Sequence, residues 1–314
     1  MQKKLILALD TSCYTTSLSL IDSSGQIVAD QRIVLRVKEG ERGLRQSDAV
    51  FQHIQNLPQL LTAPLPAAEF AAVAVSTRPR PVAGAYLPVF RVGASYGETF
   101  AKLAGIPIYE VSHQEGHIRA GLYGVTGWDE PFLAWHISGG TTELLTVTPT
   151  GARYTIEKIG GSSDLQVGQF VDRVGVALGA GFPAGMALER MAAEALTPEP
   201  LPVVTHDLNI SFSGPESAAA RLLNSGQYRR DALASGVFHC IAQSIAKVTE
   251  RAVATYKLSR VLLVGGVASN QMIRNELTAA GTRAGIDYHF GARQLSSDNA
   301  VGVGLLGYDF HGAK

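Results

Sequence analysis

Two tracts of one design constrain this chain more than any other feature. Residues 5–22, LILALDTSCYTTSLSLID, and residues 132–148, FLAWHISGGTTELLTVT, each set an apolar run, a turn rich in hydroxyls or glycine, and a second apolar run in succession. Short apolar runs bounded by turn residues are strand signals, so each tract reads as a hairpin. In the first, strands are expected at 5–10 and 17–22, with a third at 26–35. Two hairpins of one design imply two related halves, which we place at 1–124 and 125–314.

Between and after the hairpins the pattern alternates. A strand is expected at 71–76, a helical stretch at about 84–104, a strand at 107–112 and a short helix from His113. After the second hairpin come helical stretches near 165–178, 185–196, 214–224 and 230–256, then a strand at 260–264 and a helix from Asn270. A strand at 286–289 and a last helix, about 298–312 and returning toward the N-terminal half, complete the reading. Strands alternating with helices imply an α/β fold whose sheets are covered by helices. PEPLPV at 198–203 reads as a loop.

Composition removes several classes. With 46% apolar and 17% charged residues the chain has the means for a large core and is not disordered. Lys+Arg and Asp+Glu both total 27, so no global charge draws a nucleic acid, and such a partner would need a local patch or helper proteins. Two cysteines suit a reducing cytoplasm. The apolar run before Asp10 is too short for a signal peptide, and no tract is long enough to span a membrane.

Several short motifs carry chemistry. The turn Asp10–Thr16 packs hydroxyls and backbone N–H groups as a phosphate requires when no lysine is offered, although a polar hairpin turn would look the same. Gly139 and Gly140, within Ser138–Thr142, let backbone approach a ligand closely. LLVGGVASN at 262–270 puts a glycine pair after a buried strand, where α/β folds hold ligands, or where a tight turn simply needs glycine. His113 and His117, at i and i+4, can share a metal or can be two polar residues on a helix face. The zincin pattern needs Glu directly after the first His, a place taken by Gln114, so a protease is disfavoured. Asp298 in SSDNA is the candidate third ligand, or a helix N-cap. Arg32, Arg36, Lys38, Arg42 and Arg45, interleaved with Glu39 and Glu41, and separately Arg78, Arg80 and Arg91, form the basic concentrations; a solvated face explains them as well as an RNA site does.

Taken in order, LDTSCYTTSLSLID, HQEGH, ISGGTTELL, DLQVGQFVDR with FPAG, SFSG, VGGVASNQMIR and SSDNA resemble the TsaD family, once called glycoproteases, whose members transfer a threonylcarbamoyl group to an adenosine of tRNA. The resemblance covers nearly the whole chain. It implies the actin-like ATPase and sugar-kinase fold, two duplicated lobes with a ligand cleft. Residue by residue it implies a divalent transition metal, iron or zinc, on His113, His117 and Asp298. It likewise implies ATP or threonylcarbamoyl adenylate on Ile137, Ser138, Gly139, Gly140, Thr141, Asp172, Gly185 and Asn270. The companions it implies are a TsaB-like paralogue, a TsaE-like ATPase and a threonylcarbamoyl-adenylate synthase, with tRNA as acceptor.

The departures from the family pattern cluster near the chemistry. Tyr14 stands for the central carboxylate of ETSCDET, Thr141 for the histidine of SGGHT, and Leu165 and Gln169 for Asp and Glu of DDAAGEAFDK. Arg173 replaces Lys there, Glu216 replaces the lysine of SFSGLKT, and Arg78-Pro79-Arg80 interrupts a glycine-rich loop. Asp10, Asp164 and Glu216 are left as the carboxylates able to move a proton. The expected activity is threonylcarbamoyl transfer to tRNA; the alternative is a catalytically silent nucleotide-binding paralogue that serves a true family member as scaffold or regulator.

Overall fold

The run LILALD forms β1 (Lys4–Asp10), the central strand of a five-stranded sheet with the order β3-β2-β1-β4-β5. In this computed structural model residues 4–38, 43–61 and 69–313 are described. Glu39, Glu41 and Arg42 of the basic tract lie outside them. β2 (Thr15–Asp22) and β3 (Ile27–Val34) continue antiparallel from β1, while β4 (Glu69–Arg78) and β5 (Ile108–Ser112) run parallel on its other side. Both faces of β1 are covered, which is why its sequence is a continuous apolar run and not an alternating one. On one face Leu5, Leu7 and Leu9 pack with Leu57 and Leu60 of α1 (Gln46–Leu61) and with Val92 and Ala101 of α2 (Phe90–Ala104).

α3 (His113–Gly121) follows β5 directly. In the second sheet β6 (Phe132–Ile137) and β7 (Thr142–Thr150) form the second hairpin, extended by β8 (Arg153–Ser162). Then come α4 (Val167–Ala177), α5 (Gly185–Ala192), the short strands β9 (Val204–His206) and β10 (Asn209–Ser211), α6 (Ser213–Ser225) and the long α7 (Arg230–Tyr256). β11 (Arg260–Val264) leads through a 3-10 turn at Gly266–Ser269 into α8 (Gln271–Ala284), β12 (Asp287–Phe290), α9 (Arg293–Ser296) and α10 (Val301–Gly312). The strand order is β12-β11-β6-β7-β8-β10-β9, with β11 parallel to both β6 and β12. From β8 to β12, a three-strand meander followed by two parallel strands repeats the first sheet. The core of this unit gathers Trp135, Phe170, Phe212 and Phe238, and the Trp135 indole N–H donates to Thr249 Oγ1 on α7 at 2.9 Å.

The chain divides into two compact units: residues 1–127, 149–155 and 297–314 form the first, and residues 128–148 and 156–296 the second. α10 therefore belongs with the N-terminal sheet, packed on β1, β2, β4 and α3. It is apolar nearly all round, as a helix covered on several sides must be.

Several elements differ from the sequence reading. α1 is absent from that reading, because Pro58 inside it removes a backbone donor and masks the helical pattern. α2 begins at Phe90 and not near 84, because Gly84 takes a left-handed φ of 78° and Pro88 biases Leu87 away from helix. β8 is hidden by Gly160-Gly161, which resemble a turn but lie in the strand. No helix among the described residues is long and apolar enough to cross a membrane.

Candidate metal centre and nucleotide-binding turns

α3 is started by a capping box: Ser112 Oγ accepts the Glu115 N–H at 3.2 Å, and the Glu115 carboxylate accepts the Ser112 N–H at 2.7 Å. Glu115 is thereby bound to its own helix start and is not a general base. The cap fixes the helix phase so that His113 and His117 share a face, ring centroids 4.4 Å apart. Both are buried, as is Asp10. Asp298 Oδ1 lies 3.4 Å from Nε2 of each imidazole. Among the described residues, His113, His117 and Asp298 are the one group of three such donors with ligand atoms all within 4.8 Å of one another.

The N-cap explanation of Asp298 fails on geometry. α10 begins three residues later, and Asn299 Oδ1 accepts the N–H groups of Val301 at 2.9 Å and Gly302 at 3.4 Å. The neighbour does the capping and leaves Asp298 to the histidines.

Asp10 stands behind the cluster. Its Oδ2 is 2.8 Å from His113 Nδ1 and its Oδ1 accepts the Ser12 N–H at 2.7 Å. A carboxylate on Nδ1 fixes the tautomer and leaves Nε2 to a ligand, the arrangement that supports metal-bound histidines. Burial alone would lower the His113 pKa, but the charges and hydrogen bonds of Asp10 and Asp298 outweigh it and push it up to about 10. His117 moves the other way, lowered by burial and by the charge of His113. Burial would raise both carboxyls, yet the histidines hold Asp298 and Asp10 below the usual carboxylate range. Two imidazoles and a carboxylate suit a divalent transition metal, and three protein ligands leave coordination positions open.

The second unit carries the glycine turns. The Ser138 N–H donates to the Thr141 carbonyl at 2.8 Å, closing the β6–β7 turn, and Gly139 and Gly140 are exposed. The turn is fastened to the start of α4, where Thr142 Oγ1 accepts the Val167 N–H at 2.8 Å. Gly168 lies so close that a Cβ there would sit 2.6 Å from the Ser138 carbonyl oxygen, so only glycine fits. Ile137, buried in the core, can offer a ligand only its backbone. Gly265, at a φ of 97°, packs against the Ile137 carbonyl and brings the β11 turn to the end of β6. Asn270 then caps α8, its Oδ1 accepting the Ile273 N–H at 3.0 Å.

Asp172 and Gly185, separate in sequence, are brought together: Asp172 Oδ1 accepts the Ala184 N–H at 2.8 Å at the head of α5. Burial raises the Asp172 pKa. Asp164 is held otherwise. Its carboxylate accepts Ser211 Oγ at 2.6 Å, Ser213 Oγ at 2.5 Å, and the N–H groups of Phe212 and Leu165 at 2.9 and 2.5 Å, tying the α4 approach to the α6 start. Against burial, these bonds hold it well below the carboxylate range. Glu216, in the first turn of α6, lies 3.9 Å from Arg173 on α4.

Two residues that fasten the turns escape the sequence reading. Glu189 Oε1 accepts the Gln271 N–H at 2.7 Å, joining α5 to α8, and Arg274 donates to the carbonyls of Ala268 at 2.7 Å and Gly291 at 2.6 Å. Glu189 follows Gly185 by one helical turn, the spacing that could have exposed it. In the basic tracts, Arg32 pairs with Asp30 at 2.5 Å and Arg91 with Glu98 at 3.7 Å.

Two sheets of matching strand order, each packed with helices, place the chain in the actin-like ATPase and sugar-kinase fold class. Among solved structures of that fold, the chain is similar to full-length HypF in its phosphate- and nucleotide-bound form, with TM-score 0.62 and 13% identity, over 98% of this chain and about half of that one, 47%. It is also similar to a ROK family glucokinase from Streptomyces griseus, with TM-score 0.55, 10% identity and coverage of 96% and 98%. Within the class the chain belongs to the TsaD family, described as tRNA N6-adenosine threonylcarbamoyltransferase, whose family model matches residues 36–305. Proteins of that name from Moorella thermoacetica, 31% identical over 96% of this chain and 91% of its relative, and from Thermus thermophilus, 32% over 98% and 93%, are among its relatives. A probable bifunctional tRNA threonylcarbamoyladenosine biosynthesis protein from Thermoplasma acidophilum is 28% identical over 95% of this chain and 54% of its own length.

Proposed function

We propose that this chain transfers a threonylcarbamoyl group from its adenylate to an adenosine of tRNA, using a divalent transition metal, iron or zinc, held by His113, His117 and Asp298. The convergence of those three donors in front of Asp10 is the observation that carries the reading. When bound, the metal supplies Lewis-acid polarisation of an oxygen on the transferred group. Asp10 keeps the His113 proton on Nδ1 and so keeps Nε2 available. In the transfer, the adenosine N6 attacks the carbamoyl carbon, the bond from that carbon to the phosphate oxygen breaks, AMP leaves with the electron pair, and N6 gives up a proton.

The remaining residues take separate parts. The Ser138–Thr141 turn, Asp172, Gly185 and Asn270 bind the nucleotide end of the donor, the glycines letting backbone N–H groups reach phosphate oxygens. Of the three carboxylates, Asp10 serves His113 and Asp164 serves as a tether, which leaves Glu216 to accept the N6 proton. Neutral charge overall supports leaving tRNA recruitment to companions in the cytoplasm: a TsaB-like paralogue, a TsaE-like ATPase and the synthase of the adenylate.

The test is incubation of tRNA with this chain, the companions, threonine, bicarbonate and ATP. Modified adenosine above the level reached without this chain is expected. No increase, with nucleotide still bound, would replace the reading by the silent-paralogue one.

A further inference from the structure

We propose that the backbone contact between Gly116 on α3 and Gly302 on α10 is the device that sets Asp298 against the two imidazoles, so that Gly302 is a positioning residue of the metal centre. His113, Gly116, His117 and Ala120 fall on one face of α3, at i, i+3, i+4 and i+7. α10 crosses that face at Gly302, where a Cβ would overlap the Gly116 carbonyl oxygen and come within 2.9 Å of the Ala120 nitrogen. Both obstacles are backbone, which cannot swing aside as a side chain does.

Asp298 precedes this contact by four residues, and Asn299 ties the intervening segment to the helix through Val301 and Gly302. A displacement of the α10 start is thus carried into Asp298. The far end of the crossing is pinned separately, by Arg119 donating to Asp309 at 2.7 and 3.3 Å. A side chain at 302 therefore levers the near end open. Metal-to-oxygen bonds tolerate only about 0.2 Å of error, so a small shift loses the carboxylate while the His pair stays in place.

The inference rests on the metal-centre reading and is tested with metal alone. The full chain is titrated with Co(II), whose visible bands report the ligand set, alongside thermal unfolding. Gly302→Ala is expected to weaken binding about tenfold or more and to alter the bands. Adding Asp298→Glu, a longer carboxylate, should recover part of the affinity. Gly307→Ala, on the same helix but facing Ala74 at 2.7 Å and Ile6 at 3.0 Å, should lower stability and leave affinity unchanged. Wild-type affinity and bands in folded Gly302→Ala overturn the proposal. If that variant does not fold, Asn299→Ala decides: it removes the acceptor that ties the Asp298 segment to Val301 and Gly302, weaker Co(II) binding is expected, and wild-type affinity there overturns the proposal equally. A wild type that binds no Co(II) removes the metal centre itself, and this inference with it.

Discussion

His113 Nδ1 and Asp10 Oδ2 lie 2.8 Å apart, joining positions separated by 103 residues of chain. Asp10 ends β1 and His113 opens α3, so the end of the central strand supports the helix that carries both histidines. Asp10→Asn keeps the size of the side chain but removes the charge and lets an amide N–H face Nδ1, which favours the wrong tautomer. Zinc affinity, measured by competition with a chromophoric chelator, should fall about tenfold to a hundredfold with the fold retained. Unchanged affinity would mean that Asp10 does not act through His113.

The same pair makes the stability of the metal-free protein depend on pH. His113 rises from 6.5 to about 10 on folding, so its contribution is complete below pH 6.5 and is lost as pH climbs toward 10. Asp10 and Asp298 sit below the 3.8 of a free carboxyl, so theirs is present above that pH and lost on acidification. Burial lowers His117, and His53 to about 4, and both cost stability on acidification below 6.5, so thermal midpoints in chelator should peak near pH 6.5 and decline on either side. His113→Gln should flatten the alkaline decline; an equal slope in both proteins would contradict the assignment.

What the sequence made legible was what repeats or recurs at a fixed spacing. The two hairpins announced the duplicated fold, and His113 with His117 announced a shared helix face. Asp298 was ambiguous because an Asp just before a helix looks like a cap; only the bond from Asn299 to Val301 and Gly302 separates the roles. Asp164 was illegible for another reason. Its partners Ser211 and Ser213 are nearly fifty residues away, and no local pattern distinguishes a carboxylate free to move a proton from one bound to hydroxyls.

That tether predicts a loss of stability. Asp164→Ala leaves the Phe212 N–H and both serine hydroxyls to water and frees the start of α6 from the approach to α4. Chemical denaturation should show a loss of about 1–2 kcal/mol, moderated because the site is exposed. Nucleotide binding through Asn270, on another helix, should be spared. A loss of transfer with stability unchanged would instead make Asp164 catalytic.

The two positions in the DLQVGQ tract where the family has carboxylates should respond differently when these are restored. Leu165 is 7% exposed within the core that contains Val167 and Phe170. Leu165→Asp therefore buries a charge among apolar neighbours, and unfolding free energy should drop by about 3 kcal/mol or more. Gln169 is different: its Oε1 accepts the Gln166 N–H at 3.3 Å as the third residue of a capping box, a place Glu fills equally well. Gln169→Glu should leave stability within about 0.5 kcal/mol and add a negative charge at the head of α4, beside the Ser138–Thr141 turn. If that turn binds phosphate, the added charge weakens ATP binding, and the loss shrinks as salt screens it. Calorimetric titration of the Gln169→Glu protein at low and high salt decides the point, and an affinity equal to wild type at low salt would remove the α4 head from the phosphate site.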